Sequence, residues 1–92
     1  MDPAPLPDLV LYGRPGCHLC EMTHETLTAL LDERQREGRS TPTLLIRDIE
    51  TDPAWHQAYF ATIPVVELGE RRLELATSVA RLRSLLTDVL DA

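Results

Sequence analysis

The two cysteines of the chain lie three residues apart, in Cys17-His18-Leu19-Cys20, and no other feature constrains the fold as much. They follow an apolar run, Leu9-Val10-Leu11-Tyr12, that reads as a strand, and a turn sequence, Gly13-Arg14-Pro15-Gly16. In the first turn of a helix, residues i and i+3 sit one above the other, which brings their Cα atoms within the ~4.4–6.8 Å that a disulfide tolerates. A helix start also presents unpaired N–H groups and the positive end of the helix dipole, and both favour a thiolate at the first cysteine. Strand, turn, cysteine pair and helix together predict a reversible dithiol/disulfide site at the carboxyl end of the strand, where open α/β sheets place their sites.

Composition narrows the setting. A chain of 92 residues makes one domain with a modest core, and two cysteines are too few for a disulfide scaffold. Residues 1–8 hold three of the seven prolines and no periodicity, so an extended or disordered leader is expected before a single domain over 9–92. That leader has neither the basic nor the apolar region of a signal peptide, and no apolar run reaches ~18 residues. The expectation is a cytoplasmic location, where a paired CxxC is more often catalytic, redox-sensing or metal-binding than structural. The net charge of −6, with nine arginines scattered among fifteen acids, argues against nucleic-acid and membrane partners.

The rest of the chain alternates. A helix from about Cys17 to Glu37 places Leu27, Leu30 and Leu31 on one face with Cys20, leaves Glu33, Arg34, Arg36 and Glu37 mostly outside it, and stops at Gly38. Thr43–Ile49 reads as a second, central strand. Asp52-Pro53 starts a short helix over Ala54–Phe60, because Asp accepts free N–H groups and Pro fits the first helical position. Val65–Leu68 and Arg72–Leu75 read as a hairpin. Thr77 or Ser78 caps a last helix whose Val79, Leu82, Leu86 and Val89 recur at helical spacing. The order β-α-β-α-β-β-α implies an α/β fold, with a parallel pair and an antiparallel hairpin in one sheet flanked by helices.

With these elements in place, the segment Leu11–Cys20, the stretch Asp48–Pro53 and the tetrapeptide Thr62-Ile63-Pro64-Val65 resemble, in order and spacing, the landmarks of glutaredoxins and thioredoxins. The likeness runs from Leu9 almost to the C-terminus and is greatest to the small glutaredoxin-like proteins of bacteria. It implies a thioredoxin fold with a four-stranded mixed sheet, a cis Ile63-Pro64 peptide and a thiol–disulfide oxidoreductase. Cys17 would be the nucleophile and Cys20 the resolving thiol. Thr62, Ile63 and Pro64 would form a substrate-binding loop, with the Ile63 backbone open to an extended substrate. Arg14 occupies the place of a lysine that contacts glutathione's carboxylate in glutaredoxins. His18, if protonated beside Cys17, would stabilise the thiolate.

The resemblance implies a monomer that needs no bound cofactor. Its substrate would be a disulfide-containing protein or small thiol, and its electron donor glutathione or a thioredoxin-reductase-type partner. Glutathione-binding relatives carry a glycine pair and an acidic residue before the last helix. Here Leu73-Glu74-Leu75-Ala76-Thr77-Ser78 stands there instead, which counts against tight glutathione binding. Two other classes stay open. One is a metal carrier using Cys17 and Cys20 with His24, although zinc ordinarily takes four ligands, or, by resemblance to some glutaredoxins, an iron–sulfur carrier in which a dimer uses Cys17. The other is a non-catalytic interaction module. Trp55, Tyr59 and Phe60 are expected to cover the sheet, and Asp48 and Glu50 to face solvent without a partner visible in the sequence.

Overall fold

In the computed structural model, which describes residues 5–91, every residue of β1 (Leu9–Gly13) is buried. A strand apolar on both faces belongs in the middle of a sheet. β1 accordingly pairs in parallel with β2 (Leu44–Asp48), from Leu9 opposite Leu44 to Gly13 opposite Asp48, and antiparallel with β3 (Val65–Leu68). β4 (Arg71–Leu73) joins β3 through a tight turn, giving the order β2-β1-β3-β4. Gly69, at the first central position of that turn, takes φ +60°, the positive φ that a two-residue type II′ hairpin needs there.

The second strand is therefore an edge strand and not the central one expected from its apolar run. β1 and β3 take the two inner places, and Ile46 of β2 is left 53% exposed. The apolar content of β2 is used by the helices instead: Leu44 packs on one side of the sheet and Leu45 on the other.

Two helices share one face of the sheet. α1 (His18–Arg36) brings Leu27, Leu30 and Leu31, and α3 (Val79–Leu90) brings Leu82, Leu85 and Leu86, onto Leu9, Leu11, Val66 and Leu68. Ser78 caps α3, its Oγ accepting the Arg81 N–H at 3.2 Å. Val79 is half exposed despite fitting the apolar repeat, because the first turn of α3 extends past the sheet-covering residues. The other face is covered by a 3-10 turn (Ile49–Thr51) and α2 (Pro53–Tyr59), where Trp55 and Tyr59 pack beside Tyr12, Ile49 and Val65. Asp52 caps α2 through the Ala54 N–H, with Pro53 at the first position. Phe60, expected to cover the sheet, is 57% exposed and stacks on His56, since it lies just beyond the last turn of α2. Burial raises the pKa of the Tyr12 phenol, with the nearby Glu67 charge adding to the effect and Arg47 opposing it.

Arg34, expected mostly outside the apolar face, is buried. It lies seven residues after Leu27 and four after Leu30, so the helical repeat carries it inward. The charge is met there: Nε donates to the Ser40 carbonyl at 2.7 Å and the guanidinium forks onto the Asp91 carboxylate. This pair ties the end of α3 to the end of α1.

The element order is that of the expected thioredoxin fold. Of the leader, residues 1–4 lie outside the described residues, and Pro5–Asp8 have no regular structure. Among the described residues no helix is long and apolar enough to cross a membrane.

Candidate functional site

The site is built where β1 ends and α1 begins. Gly13 closes β1 directly against the cysteine pair: a Cβ there would lie 3.0 Å from Cys20 Cβ and 3.1 Å from Cys20 Sγ. Only a hydrogen side chain allows that approach. The chain then turns through Pro15 and Gly16, with Gly16 at φ +81° and the Cys17 N–H donating to the Arg14 carbonyl at 3.2 Å.

Cys17 is the N-cap of α1, and its Sγ accepts the Cys20 N–H at 3.2 Å. A sulfur in this position does the work usually done by Ser or Asp, satisfying one of the orphan donors of the helix start. The two cysteines are joined as a disulfide, with Cα atoms 5.2 Å apart. They are not equivalent. Cys17 is half-buried, whereas Cys20 is 6% exposed and faces the core side of the helix. His18 is the first helical residue and is exposed.

Two clefts flank the disulfide. The larger, about 560 Å³, is bounded by Arg14, Cys17, Asp48, Glu50 and Ile63. The smaller, about 230 Å³ and mostly apolar, lies on the Cys20 side between α1 and the edge strand, lined by Leu11, Gly13, Cys20, His24 and Ile46 among others. The sequence-expected residues Arg14, Cys17 and Ile63 therefore meet around one opening. His24 belongs to the other cleft. Among the described residues no three His, Cys, Asp or Glu side chains come together in a way that could hold a metal ion.

The Thr62–Pro64 loop lies across from the cysteines, and its Ile63–Pro64 peptide is cis. Its backbone is more occupied than expected. The Ile63 N–H, anticipated to be open to a substrate strand, donates to the Tyr59 carbonyl at 3.1 Å, because the end of α2 runs directly into the loop. The Thr62 carbonyl accepts the Leu75 N–H at 2.9 Å and the Pro64 carbonyl accepts the Ala76 N–H at 2.8 Å. Arg14 is likewise engaged, its Nη1 lying 3.7 Å from Glu50 Oε1.

Three features of the site escaped sequence reading. Thr23, one turn after Cys20, is 2% exposed and donates its hydroxyl to the Ala76 carbonyl at 2.8 Å, joining the cysteine helix to the segment that holds the Thr62–Pro64 loop. Glu50 turns out to have partners, Arg14 and His56, each at 3.7 Å. Leu75 takes φ +48°, a left-handed conformation that costs a non-glycine residue about 1–2 kcal/mol. It sits within the stretch where glutathione-binding relatives carry their glycine pair. The absence of glycine was legible; that a leucine in this stretch adopts a positive φ was not.

The model of the Glutaredoxin-like domain family (DUF836) matches residues 8–87. Among solved structures, the chain is similar to the X-ray structure of target protein XcR50 from X. campestris, with 30% identity and TM-score 0.68, covering 87% of this chain and 96% of that one. The solution structure of the same target gives 29% identity and TM-score 0.66, covering 88% and 94%. The solution structure of protein Ne2328 from Nitrosomonas europaea, at 24% identity and TM-score 0.63 over 99% of this chain and 94% of that one, shares the fold. None of the curated proteins matches the chain.

Proposed function

Since the chain belongs to the Glutaredoxin-like domain family, we propose that it is a thiol–disulfide oxidoreductase whose working group is the Cys17/Cys20 pair. The observation that carries this reading is the asymmetry of the pair. Cys17 caps the helix and opens onto a cleft, while Cys20 is buried behind it within bonding distance.

In the reduced protein the Cys17 thiolate is stabilised by the helix N-terminus and by the Cys20 N–H. It attacks one sulfur of a substrate disulfide; that S–S bond breaks and the other substrate sulfur leaves as a thiolate, which takes up a proton from solvent. Cys20 loses its proton to solvent and attacks Cys17 Sγ. The mixed disulfide breaks, the second substrate sulfur leaves as a thiolate that takes up a proton from solvent, and the Cys17–Cys20 disulfide forms. The substrate has gained two electrons and the protein has lost them. A thiol donor, either glutathione or a dithiol protein, returns the site to the reduced state by the reverse exchange.

Glutathione is the less favoured donor. Glu74 adds a negative charge before α3, and the Leu75 and Ala76 N–H groups are already bonded to Thr62 and Pro64. The reading is tested by assaying disulfide reduction with glutathione/glutathione reductase and with NADPH/thioredoxin reductase. Cys17→Ser is expected to abolish exchange, and Cys20→Ser to accumulate a mixed disulfide with substrate on Cys17. Wild-type turnover by both variants overturns the assignment.

A further inference from the structure

The charges on the wall of the Cys17 cleft bear on which disulfides it accepts. Arg14, the cation of that wall, is not presented alone, because Glu50 Oε1 lies 3.7 Å from its Nη1. Asp48 brings a second carboxylate to the same wall, its Oδ1 accepting the Glu50 N–H at 2.9 Å. Ile49 between them is fully buried and pins this corner, so the two acids flanking it are held at the cleft. Arg14, Asp48 and Glu50 together leave one net negative charge, and the Cys17 thiolate of the reduced protein adds another. A disulfide with carboxylates beside its sulfurs meets repulsion and must displace Glu50 to reach Arg14. A disulfide flanked by Lys or Arg meets attraction.

We infer that Glu50 is a specificity-determining residue: by neutralising Arg14, it sets the Cys17 cleft to accept disulfides flanked by basic residues in preference to anionic ones such as glutathione disulfide. The inference rests on the disulfide-exchange reading. Glu50 touches neither reacting sulfur and acts through Arg14 and the field at the cleft.

The test uses the pre-reduced full chain in single-turnover exchange with three disulfide peptides that differ only in having Arg, Ala or Glu beside the cysteine, and with glutathione disulfide. The Arg peptide is expected to react about two- to fivefold faster than the Ala peptide, and the Glu peptide slower by a similar factor, the size of an exposed charge pair. The spread is expected to collapse at ~1 M salt, where the screening length is ~3 Å. Glu50→Gln is expected to narrow it and to speed reaction with glutathione disulfide relative to the Ala peptide; Glu50→Lys is expected to reverse it. Equal rates for the Arg and Glu peptides, or a spread unchanged in Glu50→Lys, overturn the inference while exchange itself proceeds. No exchange with any of the four disulfides overturns the disulfide-exchange reading, and this inference with it.

Discussion

Replacing Thr23 with Val isolates one hydrogen bond that links the cysteine helix to the opposite side of the site. The Thr23 hydroxyl is 2.8 Å from the Ala76 carbonyl, and both residues are almost wholly buried, at 2% and 4% exposure. Val has nearly the shape of Thr and nearly its helix propensity, so neither a cavity nor helix weakening enters the comparison. What remains is a buried carbonyl stripped of its partner, at a cost of about 1–3 kcal/mol. For 92 residues the unfolding entropy near 60 °C is ~190 cal/mol/K, so each kcal/mol lowers Tm by about 5 °C. A fall of about 5–15 °C is expected in thermal unfolding followed by circular dichroism, with both proteins in the oxidised state. The Ala76 amide, which donates to the Pro64 carbonyl, is expected to exchange its hydrogen faster in the variant as the segment loosens. A Tm within about 1 °C of wild type would refute the claim that this bond holds the Thr62–Pro64 loop against α1.

Two further outcomes follow from the structure. Gly13→Ala places a methyl 3.0 Å from Cys20 Cβ, which must move by several tenths of an ångström; a loss of about 1–3 kcal/mol in urea unfolding is expected, with slower formation of the Cys17–Cys20 disulfide measured by thiol titration. Hydrogen bonds from Arg34, aided by Arg39, hold the Asp91 carboxyl below its ordinary pKa, so its stabilising contribution is complete above the unfolded value of ~3.9 and is lost as pH falls through the lower folded value. Asp91→Asn is therefore expected to be less stable than wild type at pH 7 and to converge with it as the pH falls through the lowered folded pKa in melts from neutral to acid pH; a constant gap at all pH values would contradict the assignment.

Much of this architecture was legible because it depends on local patterns. The CxxC after a strand and turn, the Asp52-Pro53 helix start, the Ser78 cap and the hairpin at Gly69 each rest on interactions within a few residues. Arg34 and the position of β2 were not legible for the opposite reason. Whether an arginine on an apolar face stays outside depends on a carboxylate fifty-seven residues away, and whether an apolar strand is central depends on which other strands compete for the inner places.

The candidate site divides along the same line. By itself the sequence determined the cysteine pair, its place at a helix start and the approach of an Ile63-Pro64 loop, since spacing and resemblance carry these. Only the tertiary structure decided which side chains border the cleft at Cys17, that Gly13 makes room for the Cys20 sulfur, that the Ile63 N–H is already bonded and that Arg14 faces Glu50. These are contacts between segments far apart in the chain. Their energies depend on distance and burial, which no local residue pattern encodes.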